Sequence, residues 1–228
     1  MRVGIIGCGS IAELRARALD GRKGGPTLTA VSDIDPERAR RFAESRGARA
    51  EASVSAVVAA ADVDAVIVST PPAAHAAAVE AAIRAGKPVL CEKPLASDGP
   101  AARRLVREAA ARGVALMCGF NHRFFPAVEF VRAAIESGRL GSVGRIRAFA
   151  GHPGARELTV PWLTDPAVVG GGALMDNGIH VLDLVRHLGG EIAEVAARTS
   201  SRIYGFPVEE DGALQMLTVE GRVVQLEA

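Results

Sequence analysis

The sequence is short of several things, and each shortage removes a class of function. No apolar run approaches the ~20 residues that a membrane span needs. Acidic and basic side chains nearly cancel, 26 against 27 in 228 residues, so there is no general electrostatic reason to expect nucleic acid or an anionic membrane as partner. Cysteine is scarce: Cys8, Cys91 and Cys118 stand alone, with neither metal-ligand spacing nor an even-numbered disulfide framework. No metal is expected, and a reducing cytoplasm is the simplest compartment. Lysine is rarer still, three (Lys23, Lys87, Lys93) against 24 arginines, which makes any one lysine harder to read as incidental surface charge. Met1-Arg2-Val3-Gly4-Ile5-Ile6 runs directly into a glycine motif, leaving no room for a signal peptide ahead of the fold. What remains is 49% hydrophobic and 23% charged, a composition that builds a core and argues against disorder. At roughly 100–200 residues per domain, this length allows one large domain or two small ones.

The first 118 residues alternate short apolar runs with helical patterns. Val3–Ile6, Leu28–Ser32, Ala65–Val68, Pro88–Cys91 and Val114–Met117 read as strands, and Ala65-Val66-Ile67-Val68 fits a strand buried on both faces. Helices are expected over Ile11–Leu19, from Pro36 to Arg46, over Val54–Ala60 and Pro72–Ala85, and from a Ser97 or Asp98 cap to Arg112. This alternation implies a doubly wound parallel sheet covered on both faces, an α/β architecture. After Gly119 the pattern changes. One helix is expected over Phe124–Ser137, a strand over Gly144–Ala150, and a long Gly- and Pro-rich loop over Gly151–Gly172, a kind of loop that is usually functional. A helix over Ala173–Leu188 then precedes three strands, Glu194–Tyr204, Gly212–Val219 and Arg222–Glu227. A run of strands suggests a mostly antiparallel sheet in a second, α+β domain. The boundary is expected near Gly119–Arg123, dividing the chain into residues 1–120 and 121–228.

Gly7-Cys8-Gly9-Ser10-Ile11-Ala12 is a GxGxxA motif directly after a strand and opening a helix. The first glycine permits the tight turn, the second lets backbone approach a pyrophosphate, and Ala12 packs the helix on the strand. The anion would sit at the helix N-terminus. Asp33, 21 residues after Ala12, closes the second strand. A carboxylate there accepts hydrogen bonds from both ribose hydroxyls of NAD and repels the 2′-phosphate of NADP. Arg38 keeps NADP open, because its guanidinium is placed to reach such a phosphate. The plainer alternative is a glycine turn followed by an Asp cap ahead of Pro36.

Cys91-Glu92-Lys93-Pro94-Leu95 ends another strand of the sheet, where ligands of such sheets lie. Here the sequence resembles the glucose–fructose oxidoreductase/inositol dehydrogenase family (Gfo/Idh/MocA). The matching stretches are GIIGCGSIA, SDIDPERA, STPPAAH, CEKPLA, GFNHRFFP and GGGALMDNGIHVLDLVRHLGG, in the family's order and almost end to end. The resemblance implies that Gly7, Cys8, Gly9, Ser10 and Ile11 contact the pyrophosphate and that Asp33 holds the adenosine ribose. It implies that Thr70, Pro71 and His75 border the cofactor. Glu92 and Lys93 are implied beside the nicotinamide, with Lys93 touching the substrate hydroxyl. A cis peptide is implied ahead of Pro94, and Asn121 near the cofactor. Where several members carry a Trp-Arg pair that contacts the cofactor, this chain reads Trp162-Leu163, so the tryptophan is carried over without the arginine. Members run longer than this chain, which implies a second domain incomplete at its C-terminus. They commonly associate through its sheet, which implies a homo-oligomer.

Bland readings stand beside these. Lys93 reads alternatively as a solvated loop residue, His75 as the start of a helix, Asn121, His122 and Arg123 as a polar linker, and Trp162 as packing. Arg123 is placed equally well to bind substrate or to pair with a structural carboxylate. The cysteines read as small core residues.

Asp176 and His180 are four apart in a helical pattern, so their side chains share a face. A carboxylate orients an imidazole and stabilises its protonated form, and histidine titrates near neutrality, which suits it to moving a hydroxyl proton. Gly170-Gly171-Gly172 upstream would let backbone approach a ligand closely. The alternatives are a capping Asp with a buried, satisfied histidine, or metal binding by His180, Asp176 and Asp183. Asp183 reads as structural. The leading expectation is hydride exchange between NAD (or NADP) and a hydroxyl carbon of a sugar, cyclitol or related polyol. His180 would move the proton, Asp176 would orient it, and Lys93 would stabilise the alkoxide; Lys93, Arg123, Asp176 and His180 would line the substrate. An NAD-dependent glycoside hydrolase and a catalytically impaired nucleotide-binding protein are the alternatives. The last strand, Arg222–Glu227, is expected as an exposed edge with one apolar face, displaying Val224 and prone to pairing.

Overall fold

Val3, Ile5 and Ile6 are nearly fully buried because the strand they form lies in the middle of a sheet and has no face toward water. The computed structural model describes residues 1–20, 24–151 and 161–228. The chain divides into two compact units, Met1–Gly119 and Phe120–Ala228.

The first unit contains strands β1 (Arg2–Ile6), β2 (Thr27–Ser32), β3 (Arg49–Ala50), β4 (Ala65–Val68), β5 (Val89–Cys91) and β6 (Leu116–Cys118). They pair in parallel in the order β3-β2-β1-β4-β5-β6. Helices α1 (Ser10–Leu19), α2 (Pro36–Arg46), α3 (Val54–Ala59), α4 (Pro72–Arg84) and α5 (Gly99–Arg112) connect them. One apolar cluster gathers Ile6, Val68, Val79, Ile83 and Leu105, and a second gathers Ile5, Ala12, Val31 and Phe42. Two clusters from one sheet are what a doubly wound layer requires. Caps set the helix starts: Asp35 accepts from the Glu37 and Arg38 amides, and Asp98 accepts from Ala101. In this strand order the connections reverse direction between β1 and β4, and the crevice beyond the carboxyl ends of those strands is where such sheets bind ligands.

The second unit holds α6 (Pro126–Glu136), β7 (Arg145–Phe149), α7 (Pro166–Val169), α8 (Ile179–Gly189), β8 (Ile192–Ser200), β9 (Asp211–Thr218) and β10 (Val223–Glu227). The sheet order is β7-β10-β9-β8. β8–β9 and β9–β10 are antiparallel and β10–β7 is parallel. α8 packs on one face, where Val185, Met216, Val224 and Leu226 form the core.

This arrangement corrects the expectation of an exposed last strand. β10 is interior, paired on both sides, and Val224 is 0% exposed. Its side chain faces α8's cluster, while Val223 takes the opposite face. The edges are β7 and β8. The expected loop after Gly151 falls partly outside the described residues; from residue 161 onward it forms a 3₁₀ turn (Pro161–Thr164) and then α7. The expected helix over Phe124–Ser137 begins later, at Pro126, after a 3₁₀ turn over Asn121–Phe124.

Candidate active site

In the first unit the glycine motif makes a turn that only glycine fits. Gly7 has φ +88°, and a Cβ there would lie 2.7–2.8 Å from the Ser69 and Thr70 backbone. β1 and the loop after β4 are thus in near contact at the switch point. Gly9 has no heavy atom within 4 Å of where its Cβ would be, and it starts α1 with no side-chain cap. Space and uncapped amides coincide there. Ser10 and Ile11, the next two residues, are exposed.

Asp33 closes β2 from within. Its Oδ2 accepts from the Cys8 amide at 2.7 Å, and its Oδ1 from the Asp35 amide at 2.9 Å and from Arg38 at 2.8 Å. Burial pushes this carboxyl up, but the Arg38 hydrogen bond, the Asp35 and Cys8 amides and the Arg38 charge together hold it below its ordinary value. It is a carboxylate at neutral pH. Two expectations are sharpened. The Cys8 amide is spent on Asp33 and not on an anion, and Arg38 is paired with Asp33. Burial, then the Asp33 charge, pushes the Cys8 thiol up to about 12, so it is not a thiolate.

The polar atoms beside this turn suit the dinucleotide that it implies. Among the described residues, the buried hydroxyls of Ser32, Ser69 and Thr70 have no hydrogen-bond partner. All three sit at or just past the carboxyl ends of β2 and β4. A buried hydroxyl left unpaired is unfavourable, so their clustering around the glycine turn fits a polar ligand there.

His75, expected to border the cofactor, is 1% exposed. Its Nδ1 lies 2.6 Å from the Pro94 carbonyl and its Nε2 2.7 Å from the Thr70 carbonyl. It therefore works from behind the loops and presents no ring nitrogen to a ligand. Pro71 is exposed at the start of α4. Glu92 is buried and paired with Arg15 of α1, so its carboxylate faces the helix. Lys93 follows, half-buried, and its bond to Pro94 is cis.

In the second unit Asn121, His122 and Arg123 occupy the 3₁₀ turn. Arg123, expected as an equal choice between substrate and a structural carboxylate, makes a bidentate pair with Asp183, whose side chain is 3% exposed. Trp162 lies in the 3₁₀ turn before α7 and is partly exposed. Asp176 and His180 do not share one regular helix as the spacing suggests. Asp176 is exposed in a π-helical turn, Leu174–Gly178, and His180 is in the first turn of α8. The segment is held from outside, since Ala173 and Leu174 donate to the Glu209 carbonyl and carboxylate. Such wide turns often mark functional sites. The glycine run serves this packing, correcting its reading as a ligand approach: a Cβ on Gly172 would lie 1.8 Å from the Glu209 carbonyl oxygen.

Two contacts escaped the sequence reading. His122 stacks on His180, with ring centroids 4.2 Å apart and planes 22° apart. Phe125 lies tilted against His122 at 4.7 Å, and Phe120 stands edge-on to His180. The aromatic density of GFNHRFFP is the signal that would have pointed there. Arg15 with Glu92 is the other. A buried carboxylate at a strand end requires a cation, and α1 carries the one that meets Glu92. Among the described residues no group of three or more His, Cys, Asp or Glu side chains is placed to hold a metal ion, and no helix is long and apolar enough to cross a membrane.

Comparison with known proteins agrees with this architecture. Inositol 2-dehydrogenase of Rhizobium meliloti (strain 1021) is 36% identical over 191 residues, 84% of this chain and 56% of that protein. A dTDP-3,4-didehydro-2,6-dideoxy-alpha-D-glucose 3-reductase of Actinomadura kijaniata is 37% identical over 183 residues, 79% of this chain and 53% of that protein. The structure of a levoglucosan dehydrogenase complexed with NADH and levoglucosan superposes with a TM-score of 0.90 at 26% identity, covering 100% of this chain and 66% of that one. The chain thus spans little more than half the length of the curated relatives it matches. Residues 1–120 match the family described as "Oxidoreductase family, NAD-binding Rossmann fold" and residues 128–228 match "GFO/IDH/MocA C-terminal domain", and with two sheets of the corresponding kinds the chain belongs to the Gfo/Idh/MocA family of oxidoreductases.

Proposed function

We propose that this protein is an NAD-dependent oxidoreductase that exchanges a hydride with the hydroxyl carbon of a sugar, cyclitol or related polyol. The observation that carries the reading is Asp33: a half-buried carboxylate just past β2, held by the Cys8 amide of the glycine turn and by Arg38. Relatives named for inositol and deoxysugar chemistry support the substrate class. NAD, when bound, supplies the hydride acceptor. Gly9, Ser10 and Ile11 line its pyrophosphate, Asp33 its adenosine ribose, and the Ser32, Ser69 and Thr70 hydroxyls the polar groups between. Lys93 holds a positive charge for the oxygen that becomes an alkoxide, an interaction that strengthens as charge develops. His180 takes the hydroxyl proton, Asp176 favours its protonated form, and the His122 stack fixes its ring plane. Asn121 and Trp162 remain assigned to the cofactor on family likeness alone. The paired Arg123 supports the second unit and leaves the substrate to the other residues. Three isolated cysteines support a cytoplasmic location.

A panel of sugars and inositols with NAD and NADP, followed at the NADH absorbance, tests the reaction. Accumulating NADH supports it, whereas a hydrolysed glycoside without net NADH moves the assignment to a hydrolase. Cofactor choice has its own test. Asp33→Ser removes the ribose acceptor and frees Arg38 to meet a 2′-phosphate. The NAD-over-NADP preference is expected to narrow by about tenfold or more, the worth of one hydrogen bond to a charged group. A parent protein that binds NADP tenfold better than NAD rejects the assignment.

Self-association through the second sheet is part of the same proposal. On the face away from α8, Phe149 and Val223 are exposed among Arg145, Arg147 and Gln215. Phe149→Glu is expected to lower the sedimentation coefficient at a concentration where the parent is a dimer or larger. A monomeric parent at high concentration excludes this association.

A further inference from the structure

Lys93 lies between two anchored neighbours. On one side Glu92 is buried, and its carboxylate accepts from the guanidinium of Arg15 on α1, the helix that opens the glycine motif. On the other side the Pro94 carbonyl meets Nδ1 of His75 on α4. The second nitrogen of that ring meets the Thr70 carbonyl, in the loop after β4. The lysine loop is thereby tied to α1, to α4 and to the loop that closes on Gly7.

Stability alone is a poor reason for either tie. A buried ion pair gives back in desolvation much of what it gains in attraction, and an apolar pair of the same volume often serves as well. A neutral imidazole has one N–H, yet both His75 nitrogens face carbonyl oxygens, so two full hydrogen bonds require the doubly protonated ring. What these ties do supply is placement. A lysine ammonium rides on a flexible four-carbon stem, so its position depends on how firmly its backbone is held. Misplacement by 1 Å at a reacting centre costs about 10²-fold in rate.

We propose that Arg15 and His75 are positioning residues for Lys93: they fix the Lys93 backbone against the dinucleotide turn and touch neither cofactor nor substrate. The proposal rests on the reading of Lys93 given above, and its test is chosen to be independent of turnover. With three lysines in the chain, reductive ¹³C-methylation gives three lysine signals plus the N-terminus, and Lys93→Arg identifies the one from Lys93. In the parent, the Lys93 signal is expected to lie away from the free-lysine position. In Arg15→Ala it is expected to move to that position and sharpen, while the Lys87 signal stays, because the Lys87 ammonium donates to the Val63 and Ala60 carbonyls elsewhere in the unit. Arg15→Lys keeps a cation beside Glu92 and adds one lysine signal, identified by its persistence in the double variant Arg15→Lys/Lys93→Arg; the Lys93 signal is expected to return most of the way to its parent position. His75→Gln retains one of the two carbonyl contacts and is expected to fall between. If that variant fails to fold, Arg15→Ala decides alone, since the Arg15 side chain is 23% exposed and its removal opens no closed cavity. A Lys93 signal at the free-lysine position in the parent, or one unmoved by Arg15→Ala, overturns the proposal. Failure of the protein to bind NAD or to turn over any polyol rejects the function proposed above and leaves this readout intact.

Discussion

Lys93→Ala and His180→Ala are each expected to lower turnover by about 10²–10⁴, the usual worth of one acid–base or charge-stabilising group, while NAD binding changes little. In the proposed mechanism the two serve one event, His180 as the proton acceptor and Lys93 as the cation that meets the developing charge. As hydride leaves carbon, the hydroxyl oxygen must lose its proton and its negative charge must be met. The proposal gives His180 the first task, and its ring stacks on His122 with centroids 4.2 Å apart. Lys93 takes the second. Neither interaction exists at full strength in the ground state, so their loss should appear in kcat and leave KM comparatively unchanged. Asp176→Asn is expected to cost less than His180→Ala, because Asp176 is exposed in the π-helical turn and is proposed to act only through the imidazole. Steady-state rates with the polyol found in the panel, paired with NAD titrations, check all three. Near-parental turnover in both the Lys93 and His180 variants would remove the mechanism and leave only nucleotide binding.

The first half of the fold was legible because its signals are local. Ala65-Val66-Ile67-Val68 is apolar without alternation, as a strand covered on both faces must be, and Pro36 and Asp98 mark helix starts by chemistry confined to one turn. β3 escaped because Arg49–Ala50 is only two residues long, too short for any period. The place of β10 escaped for a different reason. A tight turn over Thr218–Gly221 joins it to β9, but its second neighbour, β7, lies far upstream, and a hairpin pattern does not say whether its outer strand is an edge. The same separation hid the ion pairs of the candidate site. Glu92 and Arg15 are 77 positions apart, and Arg123 and Asp183 are 60. Motif matching names the residue at such a position without naming what holds it. His75 shows the consequence: the motif placed it beside the cofactor, whereas its two carbonyl contacts place it behind the loops.

Val224→Lys is expected to unfold the second unit at a temperature that leaves the first intact. Val224 is 0% exposed between β7 and β9, in a cluster with Val185, Met216 and Leu226. Replacing it loses the burial of a valine side chain, about 1.5–3 kcal/mol. It also forces an ammonium group into an apolar cluster, a further penalty of several kcal/mol unless the lysine escapes or deprotonates. The sum, about 4–5 kcal/mol or more, is a large share of the 5–15 kcal/mol that holds a domain together. Val223→Thr, one residue away on the opposite face where the side chain is 40% exposed, is expected to stay within about 0.5 kcal/mol of the parent. That contrast separates the interior strand seen here from an exposed edge, on which the two substitutions would rank the other way. The first unit's two apolar clusters draw on residues 3–116 alone, so its melting and its NAD affinity should survive Val224→Lys. Calorimetry should then resolve an early transition for the second unit, and segment-resolved hydrogen exchange should show β7, β9 and β10 losing protection together while β1, β4 and β5 keep theirs. Parent-like stability of Val224→Lys would mean that this side chain reaches water and that β10 is an edge after all.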